Sequence, residues 1–161
     1  MTRMQTAAIA LLFGATAQAS MAAEPLISEV DVVVELEDAE NANALTYWPT
    51  IEQDMEAKFA AEIADQLNDS GLDVTVRLAE VSLDGSELLG SKGEFNTLKG
   101  WVYIREQNNP EPIESVGISL EGEIGTGDPD ASFTIAPSID DMYEALTTRF
   151  VERTMEEIAR L

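Results

Sequence analysis

The stretch WPTIEQDMEAKFAAEIADQLNDSGLDVTVRL, residues 48–78, decides the fold because the spacing of its apolar residues changes at Gly71. Before Gly71 these residues recur at every fourth position, as on one face of a helix, and they are Ile51, Met55, Phe59, Ile63 and Leu67. After Gly71 they alternate with polar residues, as in a half-buried strand. The stretch predicts a helix that begins at Thr50, with a capping box between Thr50 and Gln53, and ends at Gly71 before a strand.

The same alternation predicts three more strands. Residues 27–38, ISEVDVVVELED, form one strand before the helix. Residues 98–106, LKGWVYIRE, and residues 113–124, IESVGISLEGEI, form two strands after it, joined by the turn QNNPEP. The short turn between these last two strands predicts that they form an antiparallel hairpin. Residues 84–97 are rich in Gly and Ser and predict a long connection before the hairpin.

The end of the chain completes the predicted fold. Residues 137–161 predict a closing helix with Ser138 as its N-cap, and the short segment SFTIA, residues 132–136, would add a fifth strand. The resulting order is β-α-β-β-β-(β)-α. It predicts an α+β fold of two layers, a mostly antiparallel sheet of four or five strands with both helices on one face. The opposite face of the sheet, called the helix-free face below, is then uncovered unless a partner or the connection at residues 84–97 lies over it.

The start of the chain has the three-part pattern of a secretory signal peptide over residues 1–22. Arg3 precedes an apolar run, residues 7–13, and a tail of small residues follows. The run is far shorter than the ~20 residues that a membrane-spanning helix needs. We predict that residues 1–22 are removed, with cleavage after Ala19 as the alternative, and that residues 23–161 form a single domain.

The chain contains neither cysteine nor histidine. Without cysteine it has no disulfide, no thiolate metal ligand and no site for the lipid of a bacterial lipoprotein. Without histidine it lacks the usual base for a serine nucleophile and the commonest nitrogen ligand of metals. We therefore predict a periplasmic or secreted protein with no membrane anchor after cleavage, no cofactor and no identifiable catalytic residue.

The balance of charge limits the classes of partner. The chain carries 31 Asp and Glu residues against 9 Lys and Arg residues, which gives a formal net charge of −22. Nucleic acids and anionic membranes are bound by Lys and Arg side chains that neutralise phosphates. The sequence therefore predicts no nucleic-acid partner. Its acidity predicts a solubilising surface or, alternatively, attraction of cations and basic partners.

Basic and aromatic side chains are concentrated on one predicted strand face. Val102 and Ile104 are predicted to point into the core, so their neighbours along the strand point outward. The predicted binding residues on this outward side are Arg77, Lys99, Trp101, Tyr103 and Arg105. Ring stacking and charge pairing would hold a protein or a small anionic or sugar-like ligand. The alternative is packing alone, with Trp101 covering Gly117 across the hairpin and the cations paired with Glu121 or other acids.

Two acidic loops are weak candidates for a calcium site. The candidate ligands are Asp38, Glu40 and Asn43 in EDAENAN, and Asp128 and Asp130 in DPDAS. DPDAS begins like an EF-hand loop, but Phe133 stands where that motif needs glycine and Ile139 where it needs glutamate. Asp and Asn are also ordinary turn residues. The sequence therefore predicts no high-affinity metal site.

These observations favour binding over catalysis. We predict a soluble periplasmic binding or interaction module that acts through the helix-free face. The alternative is a carboxylate-based enzyme of the cell envelope, a glycosidase-like hydrolase, because an acidic chain always brings some pair of carboxylates within working distance. A deep pocket with convergent, desolvated acids would indicate the enzyme, and a broad exposed sheet face or edge would indicate the binding module.

Overall fold

A computed structural model of the chain shows a sheet of four strands and two helices. It describes residues 25–36, 44–84, 94–122 and 138–161, without the side chains of residues 83–84 and 94–96. The elements are β1 (Ile27–Val34), α1 (Ile51–Glu62), β2 (Leu72–Asp84), β3 (Glu94–Glu106), β4 (Pro112–Glu121) and α2 (Ile139–Ile158). The predicted signal peptide and the predicted fifth strand at residues 132–136 lie outside the described residues.

The four described strands form one mixed sheet in the order β1-β2-β3-β4. β1 runs parallel to β2, whereas β2, β3 and β4 pair antiparallel in turn. The predicted α+β class and the order of strands and helices are confirmed, but the sheet is mixed rather than mostly antiparallel. α1 is the cause, because it lies between β1 and β2 in the chain and returns the chain to the same end of the sheet.

Both helices pack on the same face of the sheet. α1 lies against β1, and α2 lies against β3 and β4. The strand residues buried beneath the helices include Val32, Val74, Val76, Leu78, Leu98, Val102, Ile104 and Ile118. The inward faces that alternation predicts for these strands are therefore confirmed. Burying this apolar surface is the main source of stability for the two layers.

Gly100 on β3 lets α2 approach the sheet closely. A Cβ atom at this position would lie 3.1 Å from Cζ of Phe150 and 2.7 Å from the carbonyl oxygen of Arg77. The phenyl ring of Phe150 is fully buried against this position. A larger residue at Gly100 would therefore meet the backbone of β2 as well as the ring.

α1 is shorter than predicted, because it ends at Glu62 instead of continuing to Gly71. After the helix the chain pairs with the start of β1: Ile27 N–H donates to the carbonyl oxygen of Gln66, and Asn68 N–H donates to that of Ile27. Leu67 is consequently 61% exposed, and its predicted place in the core is wrong. These backbone bonds replace those that a longer helix would make.

The two helix starts differ in how they are capped. Thr50 makes no side-chain bond to the backbone of α1, so the predicted capping box with Gln53 is wrong, and its hydroxyl donates to Asp54 instead. The predicted N-cap of α2 is confirmed: Ser138 and Asp141 form a reciprocal capping box. The hydrogen bonds from the Ser138 hydroxyl and backbone hold the pKa of the Asp141 carboxyl below its ordinary value.

β2 and β3 extend beyond the predicted strands into residues 84–97. Their pairing continues to Asp84 opposite Glu94, with a shift in register between Leu78 and Glu80. The shift places Ala79 as an extra residue, a β-bulge, on β2. The prediction of a connection over residues 84–97 is therefore wrong at both ends, and residues 85–93 lie outside the described residues.

The outer edge of β1 is closed by its own helix. Val34 N–H donates to Oε1 of Glu52 over 2.7 Å, and Val32 N–H donates to Oε1 of Glu56 over 3.4 Å. Glu52 and Glu56 are one turn apart on α1, so they reach amides two residues apart on the strand. Together with the backbone pairing at Ile27, these bonds occupy the strand border that faces away from β2.

Candidate functional site

The strand registers bring the five predicted binding residues together on the helix-free face. One row across the sheet contains Val33, Arg77, Trp101 and Gly117, and the next contains Asp31, Thr75, Tyr103 and Ser115. Lys99 and Arg105 flank the two rows along β3. The predicted juxtaposition is therefore observed, while a role in binding stays a prediction.

Trp101 lies at the centre of this face, and 47% of its surface is exposed. A Cβ atom on Gly117 would lie 3.2 Å from Cζ3 of the indole, and 3.4 Å and 3.5 Å from the flanking atoms Cη2 and Cε3. Nearly equal distances mean that this Cβ would stand over a ring face, because an approach in the ring plane leaves the flanking atoms much farther away. The indole therefore covers Gly117, as the packing alternative predicts.

Tyr103 contacts both neighbouring guanidinium groups. Cζ of Arg77 lies 5.2 Å from the ring centroid of Tyr103, and Cζ of Arg105 lies 5.5 Å from it. Both distances are within the range of a cation–π interaction. Arg105 also donates to the hydroxyl of Thr75 and to the carbonyl oxygen of Pro110. These contacts fix the arginines beside the ring, so this half of the face is pre-organised.

Carboxylates neutralise two of the three cations. Arg77 pairs with Glu35 over 3.0 Å, and Lys99 pairs with Glu80 over 2.8 Å. The hydrogen bond from Lys99 holds the pKa of Glu80 below its ordinary value. The packing alternative, which pairs Lys99 with Glu121 or other acids, is thus met at Lys99 by Glu80. A free anion finds little unmatched positive charge here.

Two shallow cavities flank the Trp101 ring. One, of about 290 Å³, is lined by Lys99, Trp101, Gly117 and Ser119 together with neighbouring residues. The other, of about 330 Å³, is lined by Glu35, Arg77, Trp101 and Tyr103 with their neighbours. Both volumes are at the low end of small-molecule sites. The ring therefore separates two depressions on a broad face and does not close a deep pocket.

The metal candidates Asp38, Glu40, Asn43, Asp128 and Asp130 all lie outside the described residues. Within residues 25–36, 44–84, 94–122 and 138–161, no group of three or more acidic side chains is arranged to hold a metal ion.

Sequence reasoning missed one cluster, which joins the two helices. The rings of Trp48 and Tyr143 stack with centroids 4.7 Å apart and an interplanar angle of 3°. The Tyr143 hydroxyl donates to Oδ2 of Asp54 over 2.7 Å, and burial together with that carboxylate raises the pKa of Tyr143. Tyr143 lies within the predicted closing helix, residues 137–161, but Trp48 precedes its helix, where periodicity carries no signal.

Comparison with known proteins finds no matching family model and no significantly similar curated protein. Across the parts of the chain that the structure describes, no helix is long and apolar enough to cross a membrane. The geometry of the helix-free face is therefore the basis for a proposed function.

Proposed function

We propose that the chain is an exported, non-catalytic binding module of the cell envelope that holds its partner on the helix-free face around Trp101. The observation that carries this proposal is the half-exposed indole at the centre of that face, between two shallow cavities. Exposed tryptophans supply a large, rigid contact area and are enriched among residues that dominate binding energy. The matched charges around the ring favour a polypeptide or sugar-like surface over a free anion.

Hydrogen bonds from neighbouring side chains favour the ionised form of three described carboxyl groups. A glycosidase needs one carboxylic acid whose pKa is raised so that it can donate a proton. Hydrogen bonds from Lys99, Ser138 and Arg153 instead lower the pKa of Glu80, Asp141 and Glu156, respectively. The hydrolase alternative thus gains no support from these residues.

Replacement of Trp101 by alanine tests the proposal. The mature protein, residues 23–161, is immobilised and exposed to envelope extract, and bound proteins and glycans are quantified. Tyr47→Ala is the matched control, because Tyr47 is 51% exposed but lies beside Trp48 in the helix layer. We expect Trp101→Ala to reduce specific capture about tenfold or more, as loss of a hot-spot residue does, and Tyr47→Ala to leave it unchanged. Equal capture by both variants would refute the proposed site.

Export is tested separately by N-terminal sequencing of the protein from the envelope fraction. We expect the chain to begin at Ala23, or at Ser20 if the alternative cleavage is used. Recovery of cytoplasmic protein with an intact N-terminus would overturn the predicted periplasmic or secreted location. The binding face would still be tested by the Trp101→Ala experiment.

A further inference from the structure

The two borders of the described sheet differ. The outer border of β1 is occupied by Glu52, Glu56 and the backbone of residues 66–68. β4 lies at the other end of the strand order and pairs with β3 on one side. Within the described residues, no strand or helix backbone bonds to its other side. Such a border offers a row of N–H and C=O groups to an additional strand.

The direction of the β4 amides follows from one hydrogen bond. Ser115 N–H donates to the carboxylate of its neighbour Glu114 over 3.3 Å, so this amide points away from β3. Successive amides of a strand point to opposite sides, which directs the N–H groups of Gly117 and Ser119 away from β3 as well. The pairs Trp101–Gly117 and Tyr103–Ser115 are then the close, non-hydrogen-bonded type, in agreement with the indole lying over Gly117.

Trp101 reaches toward the same border. Its ring extends from β3 over Gly117 on β4. Ser115, Gly117 and Ser119 are small and exposed on the helix-free face, so no bulky β4 side chain screens the ring from an incoming strand. A side chain of an added strand would therefore lie beside the ring.

We propose, on the basis of the function proposed above, that the partner is an extended basic polypeptide segment that adds to the border of β4 facing away from β3 and places one side chain against Trp101. Backbone hydrogen bonds to β4 give affinity, and alternate side chains give specificity. The exposed carboxylates of Glu111, Glu114 and Glu121 flank the border, and the chain carries −22 overall, so lysine or arginine is favoured in the partner. A second copy of the chain is disfavoured by the same charges.

The test uses three synthetic ten-residue peptides and two variants at one position. The peptides are alternating Lys-Val, alternating Glu-Val, and a Lys-Val peptide interrupted by proline at every third position. Ser119→Pro removes the outward amide without loss of a bond to β3, and Ser119→Ala keeps that amide as the matched control. Binding is measured by the fluorescence of Trp101 in a Trp48→Phe background and by amide hydrogen exchange.

We expect the Lys-Val peptide to bind the wild type and Ser119→Ala equally, and to slow exchange at Gly117 and Ser119. Ser119→Pro, the Glu-Val peptide and the proline-interrupted peptide should each weaken binding about tenfold or more, because each removes backbone bonds or inverts the charge. Unchanged binding by Ser119→Pro would overturn the inference, as would protection of the Gly117 and Ser119 amides in the free protein. If Trp101→Ala still loses envelope capture in either case, the proposed function stands and only the strand-addition mode fails.

Discussion

Both faces of the sheet place an aromatic ring against a glycine, with opposite consequences. On the helix side Phe150 covers Gly100 and is fully buried, whereas on the helix-free face Trp101 covers Gly117 and remains 47% exposed. The first contact lies between layers and supports the fold. The second lies between neighbouring strands and leaves ring surface for a partner. The same local contact thus buries one ring completely and leaves the other half-exposed, at the site where we propose that a partner binds.

The largest test of this contrast is truncation of the two rings. Phe150→Ala should lower the free energy of unfolding by about 3–5 kcal/mol, because it leaves a cavity between α2 and the sheet. Trp101→Ala should lower it by only about 1–2 kcal/mol, since much of the ring is already in water. Urea denaturation of the mature protein measures both values. Equal losses would show that Trp101 has a structural role comparable to that of Phe150.

A second test adds one methyl group at each glycine. Gly100→Ala should cost about 1–3 kcal/mol, because its Cβ meets the carbonyl oxygen of Arg77, which cannot move without shifting β2. Gly117→Ala should cost less than about 1 kcal/mol, because the half-exposed indole can move outward. Thermal denaturation compares the two variants. A larger loss for Gly117→Ala would mean that the Trp101 ring is held rigidly.

The helix layer supplies a third test at Tyr143. Tyr143→Phe should lower the free energy of unfolding at neutral pH by about 1 kcal/mol through loss of the bond to Asp54, which keeps its bond from Thr50. Because burial and Asp54 raise the pKa of Tyr143 in the folded state, its contribution is complete below about pH 10 and falls as the unfolded state ionises above that pH. Denaturation between pH 8 and 11 should show a shallower decline in the variant. A parallel decline would assign the alkaline sensitivity to other groups.

The smallest expected effect concerns the ion pair between Lys99 and Glu80 on the helix-free face. Lys99→Gln should raise the pKa of Glu80 toward its ordinary 4.5 and lower the free energy of unfolding by about 0.5 kcal/mol at neutral pH. The lowered pKa of Glu80 stabilises the fold above about pH 4.5, and this contribution is lost as the pH falls through the folded-state value. NMR titration of Glu80, with denaturation in low and high salt, measures both effects. An unchanged pKa of Glu80 would contradict the pairing.

The alternation of apolar and polar residues along each strand was sufficient to predict which strand residues face the helices. Val102 and Ile104 are buried, and Trp101 and Tyr103 lie on the other side, because a period of two allows each strand only two arrangements. The pairing of Trp101 with Gly117 also followed from the position of the β3–β4 turn. The alternation within each strand and the short turn between β3 and β4 were thus enough to predict the centre of the candidate site.

Longer-range details could not be read from the sequence. Lys99 pairs with Glu80 because the bulge at Ala79 shifts the register of β2, and no sequence pattern marked that bulge. The early end of α1 follows from backbone pairing between Ile27 and residues 66–68, which competes with a helical period that is locally intact. In both cases a tertiary contact overrides a local preference.

The carboxylates of Glu52 and Glu56 also limit how this protein can assemble. An edge-to-edge polymer requires every molecule to have two borders that can accept a strand. Each subunit that joins through one border then offers its second border to the following subunit. Here α1 occupies one border from within the same chain. In the strand addition that we propose, β4 would receive a single guest, because within the described residues α1 already occupies the opposite border of the sheet. Such an addition would end with one strand and would not continue into a fibre.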